Sequence, residues 1–359
     1  MKIKKTLCAF FAALSLFTVA FVLPASAEAT PSVAADNIKV DSRLRELLFG
    51  NERQQSASLI PGGCVFGIRI KQSSVTVIES SGIPALSSGD KIISINGNRV
   101  STVAEVKEAV KKSGGGSVTI RAEHRGTEIA IEAKPALVDG EYRLGLSLRD
   151  SASGIGTVTY YDPESGRFGG LGHGICDAES GEIIEMSEGD VTGVILGGLQ
   201  KGECGKPGEL SGILKNEILG SLDKNNGCGV FGVLTDAGAL SSKSALPIGT
   251  KNEIHEGEAT IISTLKNGKS AEYKIEIYDI DKSSEGSKSF RIKTSDPALI
   301  AISGGIVRGM SGSPIIQDGK LVGAVTHVMV ANPTEGYGIF IENMLNASQK
   351  ANNSLQKVA

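Results

Sequence analysis

The sequence predicts a mainly β protein, and three observations carry that prediction. Glycine is abundant, at 46 of 359 residues, and supplies the φ > 0 positions that tight turns need. Tryptophan is absent and aromatic residues make up only 4%, a composition that favours small, turn-rich β domains over helical bundles. From Leu59 onward, short alternating apolar runs recur between Gly-, Pro- and Asn-containing turns. The length suits two domains plus an appendage, and the apolar content of 40% is ample to bury real cores.

The first 27 residues read as an export signal. Lys2, Lys4 and Lys5 precede an apolar run over residues 7–23, and Ala25-Ser26-Ala27 forms the small-residue end. Cleavage after Ala27 is the first reading. Because the run is just short of a bilayer span, retention as a membrane anchor is the alternative. Removing those lysines takes the 37 basic residues to 34 against 40 acidic, shifting the formal charge from −3 to −6. Either way, the bulk of the protein is expected outside the cytoplasm. No basic run interleaves with aromatics, so no nucleic-acid partner is expected. Cys8 falls in the signal, and Cys64, Cys176, Cys204 and Cys228 have the number for two disulfides, with the pairing open. There is no C-x-x-C, and His124, His173, His255 and His327 are scattered, so neither a metal site nor an organic cofactor is expected.

Residues 28–57 read as a linker containing a short helix with Leu44, Leu47 and Leu48 on it. Residues 64–70 and 75–78 read as paired strands. Gly89-Asp90 turns into an alternating strand, and Asn96-Gly97 is a hairpin-type turn. Thr102 is suited to cap a helix carrying Val103, Val106 and Val110, which Gly114-Gly115-Gly116 ends. A hairpin turning at Arg125-Gly126 closes the unit. The Pro84-Ala85, Gly89-Asp90-Lys91-Ile92 and Ile95-Asn96-Gly97-Asn98-Arg99-Val100 elements make residues 58–136 resemble a PDZ domain. The resemblance implies a groove that takes an extended peptide as an added strand, with Val65, Phe66, Gly67 and Ile68 at the family's carboxylate-binding loop. Whether the ligand is a free C-terminus or an internal segment stays open.

Residues 135–141 read as an interdomain linker. Beyond it come alternating runs over residues 143–150 and 154–161, the turn Asp162-Pro163-Glu164-Ser165-Gly166, and the run containing Leu171-Gly172-His173-Gly174-Ile175. His173 thus stands at a strand end among glycines, a setting that leaves its imidazole approachable. Further short strands through residue 278 suggest a sandwich or a pair of barrels. Residues 340–354 read as a surface helix, with residues 346–359 as a polar tail.

The chemistry centres on Gly309-Met310-Ser311-Gly312-Ser313-Pro314. Glycines flanking a serine let a substrate carbonyl approach, and the amides of Gly309 and Ser311 are placed to converge on an oxyanion; a plain turn between strands is the competing reading. A serine hydroxyl needs a base, and His173, several aspartates and Ser311 occur in the order His, Asp, Ser. Together with Gly154-Ile155-Gly156-Thr157, Tyr161-Asp162-Pro163, Thr294-Ser295-Asp296-Pro297 and Gly323-Ala324-Val325-Thr326-His327, these motifs resemble the SpoIVB peptidase family, the stage IV sporulation serine peptidases. The resemblance implies a chymotrypsin-like double β-barrel over residues 142–345, with His173 as base, Asp296 as acid and Ser311 as nucleophile. It also implies export to the forespore intermembrane space and self-processing. A membrane-bound regulatory protein would be the substrate, and its cleavage would activate a partner intramembrane protease and late sigma-factor maturation. Asp236, Asp279 and Asp281 are rivals for the acid, His327 for the base, Ser313 and Cys176 for the nucleophile. His327 lies on an apolar strand and reads better as structural. The alternative from another class is a non-catalytic peptide-binding scaffold on a degenerate protease fold.

Overall fold

The computed structural model describes residues 58–266 and 268–350, all within the compact unit Arg53–Ala359. The expected signal, the linker helix and most of the polar tail lie outside them. The mainly β prediction holds: twenty strands account for most of the described chain.

Six strands form a closed circuit. Val65–Ser80, Met186–Gln200, Glu209–Asn226, Gly229–Leu234, Arg167–Gly170 and Leu146–Tyr161 are hydrogen-bonded in that order, and the last pairs back onto the first. Alternation drives the closure, because Phe66, Ile68, Ile70, Phe168 and Val191 turn one face inward to a common core. A second closed barrel runs through Gly257–Lys266, Lys269–Tyr278, Phe290–Thr294, Asn332–Phe340, Lys320–Met329 and Pro314–Gln317. Its interior holds Ile261, Ile275, Ile277, Phe290, Ile292 and Ile315. Between the two lies a further core in which Tyr160 and Phe231 of the first circuit meet Leu321, Ala324 and Ile339 of the second.

The PDZ-like unit is an insertion, not a preceding domain. The expected block of residues 58–136 divides, since residues 65–71 belong to the first circuit. A separate core of Val75, Val77, Ile92, Ile95, Val106, Val110 and Ile120 recruits Leu144 and packs against Leu146 and Leu148 from beyond residue 136. The reason is continuity: the 16-residue strands Val65–Ser80 and Leu146–Tyr161 each run through both cores. Inside the insert the local readings hold. Thr102 and Glu105 form a reciprocal capping box on helix Val103–Lys112, and Asn96 (φ 51) and Gly97 (φ 79) make the hairpin turn. The expected linker forms a small hairpin, Ala136–Val138 with Glu141–Arg143. The expected surface helix is Ile341–Gln349, and it has a buried face, because Ile341 and Met344 join the core between the barrels.

The carboxylate-binding assignment of Val65–Ile68 does not fit the same continuity. Val65 to Ile68 pair with Thr157 to Gly154 on one side, and Gly67 and Ile68 pair with Thr192 and Val191 on the other. With Phe66 and Ile68 buried and both edges taken at Gly67 and Ile68, the Gly67–Ile68 half of the segment has no open edge to receive a peptide strand. The free edge in the insert is elsewhere, on Leu146 to Arg149, which pair only with Ser80 to Thr76 among the described residues.

Candidate active site

The Gly309-to-Pro314 loop enters from the second barrel and is braced by the first. It follows helix Pro297–Ser303 and leads into strand Pro314–Gln317. Thr157 and Thr159, fully buried on the strand Leu146–Tyr161, donate their hydroxyls to the carbonyls of Gly309 and Gly312 at 2.8 Å each. The Thr157 amide donates to the Ser311 carbonyl at 3.0 Å, and the Gly312 amide to Val325 O at 2.7 Å. The approach is so close that a Cβ on Gly312 would sit 2.0 Å from Thr157 O, at a φ of +95°. Glycine is therefore required there.

His173 follows strand Arg167–Gly170, and His327 lies on strand Lys320–Met329. The two rings face each other across the junction with centroids 4.8 Å apart. His173, Ser311, His327 and Gly309 all line one cavity of about 810 Å³, whose other walls include Ile155, Ile175, Val328 and Arg308. Ser311 Oγ donates to the Thr326 carbonyl at 2.7 Å. The amides of Gly309 and Ser311 make no hydrogen bond among the described residues. Two main-chain donors beside a hydroxyl in one cavity are the elements of an oxyanion site.

His173 Nδ1 lies 2.9 Å from the Gly174 carbonyl, which can only accept, so Nδ1 carries the proton and Nε2 presents its lone pair. Burial lowers the His173 pKa, and the bond to Gly174 opposes that shift. His327 is pushed down to about 4, chiefly by burial and then by the charges of His173 and Lys288. Both imidazoles are neutral at neutral pH.

Asp296 stands apart from this cavity. It is the N-cap of helix Pro297–Ser303 and accepts from Ala298 N and Leu299 N at 2.8 and 3.1 Å, and from Lys274 N at 2.9 Å. Among the described residues no carboxylate lines the cavity, so the geometry does not give Asp296 the orienting role that the resemblance implies. An aspartate directly before Pro297 is a cap signal, and the fold uses it as one. Of the rival acids, Asp279 pairs with Arg291 and Asp281 accepts from Ser283. Asp236 accepts from the Gly238 amide. Ser313 is fully buried and outside the cavity lining, whereas Cys176 lies on it. Cys64, Cys176, Cys204 and Cys228 are all free thiols. Sequence reasoning ranked His327 as structural; its presence in the Gly323-to-His327 motif was the available signal. Thr157 was likewise visible only as part of a motif.

Two β barrels with a serine and a histidine on a shared cavity describe a serine peptidase. The profile of the SpoIVB peptidase S55 family matches residues 140–345, and the chain belongs to that family. No curated protein matches the chain. Among solved structures, the PDZ domain of the SdrC-like protein from Listeria monocytogenes is 24% identical, covering 23% of this chain and 93% of that one, with a TM-score of 0.21. The active form of the Rv3671c protease from M. tuberculosis is 11% identical over 54% of this chain and 72% of that one, with a TM-score of 0.32. Both TM-scores are too low for either likeness to carry the fold assignment.

Proposed function

We propose that the chain is a serine endopeptidase in which Ser311 is the nucleophile, His173 the general base, and the Gly309 and Ser311 amides the oxyanion donors. The observation that carries this reading is the convergence of those groups on one cavity. Ser311 Oγ releases the Thr326 carbonyl and turns to His173 Nε2. As the bond from Oγ to the substrate carbonyl carbon forms, the proton passes to Nε2 and the carbonyl oxygen, now negative, meets the two amides. Collapse of the adduct breaks the peptide bond, the leaving amine takes the proton from Nε2, and water releases the acyl group by the same path. The Gly174 carbonyl holds the Nδ1 proton and so keeps the tautomer, a task a carboxylate performs in the familiar triad. His327, neutral beside His173, packs its ring against the base.

In this reading the substrate is a membrane-bound regulatory protein of sporulation, cut after export to the forespore intermembrane space. Its cleavage activates a partner intramembrane protease, and the enzyme also processes itself. The insert holds a peptide segment along the free edge of Leu146 to Arg149, not at Val65 to Ile68.

A fluorophosphonate that reacts with activated serines tests the chemistry. Wild-type protein is expected to label, and Ser311→Ala to lose the label entirely. Two observations favour a non-catalytic scaffold instead: Ser311 Oγ is bonded to Thr326 O, and among the described residues no carboxylate lines the cavity beside His173. Well-folded wild-type protein that refuses the label would establish that second reading.

A further inference from the structure

The segment that carries His173 into the cavity is fastened to the insert as well as to its own barrel. Residues 174–185 follow His173 directly, and Ile175, Cys176 and Ile183 share the cavity with it. On the barrel side, the Asn225 amide nitrogen donates to Ile175 O and Ile184 O at 2.9 and 3.0 Å. On the insert side, Asp177 is nearly buried, and its Oδ1 accepts the amides of Glu179 and Ser180 to close a turn. Arg149 Nη2 reaches Asp177 Oδ2 at 2.5 Å and also bonds Glu179. Lys91 Nζ adds a bond to Glu182 at 2.9 Å, and the Ser73 amide one to Glu185 O at 2.9 Å.

Arg149 is also the last residue of the free strand edge, and its neighbour Asp150 grips the other wall of the groove. Asp150 Oδ2 accepts the Val103 amide at 2.8 Å, in the first turn of helix Val103–Lys112. Because successive side chains leave a strand on opposite faces, Arg149 and Asp150 tie one short piece of backbone to two different elements. One is the groove helix, the other the loop behind His173. A guanidinium between two carboxylates, one of them nearly buried, holds geometry more firmly than an exposed pair does.

We propose that Arg149 is a positioning residue that couples the groove of the insert to the peptidase site, so that a peptide strand added along Leu146 to Arg149 sets the loop carrying His173. The proposal rests on the serine peptidase reading above. Coupling is reciprocal, so occupancy of either site must be felt at the other, and the active site can be filled without knowing the groove's ligand. Full-length wild-type and Arg149→Gln proteins would be compared by amide hydrogen exchange before and after fluorophosphonate labelling. In the wild type, labelling at Ser311 is expected to slow exchange at residues 145–149 and in the first turn of the helix; in Arg149→Gln it is expected to leave both unchanged. The maximal inactivation rate of Arg149→Gln is expected to fall by about tenfold or more with the inhibitor's binding constant unmoved. Arg149→Lys, which keeps the charge, is expected to restore part of the rate. Labelled wild type with unaltered exchange at residues 145–149, or Arg149→Gln inactivating at the wild-type rate, overturns the coupling alone. Wild type that never labels overturns the coupling together with the reading beneath it.

Discussion

At Asp296, three main-chain N–H groups converge on one carboxylate, and they hold its pKa below the usual range despite the opposing effect of partial burial. Asparagine caps helices about as well as aspartate, so Asp296→Asn is expected to keep fluorophosphonate labelling within about threefold of wild type, while Asp296→Ala lowers stability by about 1 kcal/mol. Loss of labelling in folded Asp296→Asn would return this residue to the catalytic machinery. The histidines set a pH dependence of definite sign. His173 has a folded pKa below its ordinary value of 6.5, so in its proposed role as base it is available at neutral pH, and the labelling rate should fall only as pH drops through a midpoint below 6.5. His327 has the same sign of linkage. Its folded pKa of about 4 lies below 6.5, so its contribution to stability is present above 6.5 and is eroded as pH falls from 6.5 toward 4. Across that window the unfolded chain takes up a proton that the folded chain refuses, at up to about 1.4 kcal/mol per pH unit. Urea midpoints at pH 7 and pH 5 would show the drop, and His327→Gln should flatten it.

The Gly309-to-Pro314 loop depends on an element outside its own barrel. Its glycines let the main chain approach the strand Leu146–Tyr161, and the two threonines there satisfy carbonyls that the loop cannot satisfy itself. Thr157→Val keeps the shape but leaves the part-buried Gly309 carbonyl without its donor. The expected cost is about 1–3 kcal/mol in thermal or urea unfolding, with slower labelling of Ser311 because the neighbouring Gly309 amide moves with that carbonyl. Labelling and stability both at wild-type levels would show that the brace is dispensable. The PDZ-like insert is a second case of elements shared between units. Its helix, turns and last hairpin were legible because capping, left-handed turn residues and alternation are local effects. Its place was not legible, because a 16-residue strand that serves two cores carries the same alternation as two short strands joined end to end.

Over the whole molecule, the two barrels share an apolar core. Phe231 is completely buried there among Tyr160, Leu321, Ile339 and Met344. Phe231→Ala should lower stability by about 3–5 kcal/mol and depress labelling with it, since the junction beside the cavity that His173 and Ser311 line would loosen. A stability loss under about 1 kcal/mol would mean that the barrels are positioned by other contacts. Sequence by itself determined the β-rich class, the turns and caps, and the family. These are properties of composition, short spacing and local backbone chemistry. Tertiary structure alone decided that His327 faces His173 and that Asp296 caps a helix away from the cavity. It also decided that Val65 to Ile68 lie inside a closed circuit, and that Arg149 bridges the insert to the loop behind His173. Each depends on which distant strands pair and which faces they bury, and hydrogen bonding between segments dozens to hundreds of residues apart leaves no periodic trace in either one.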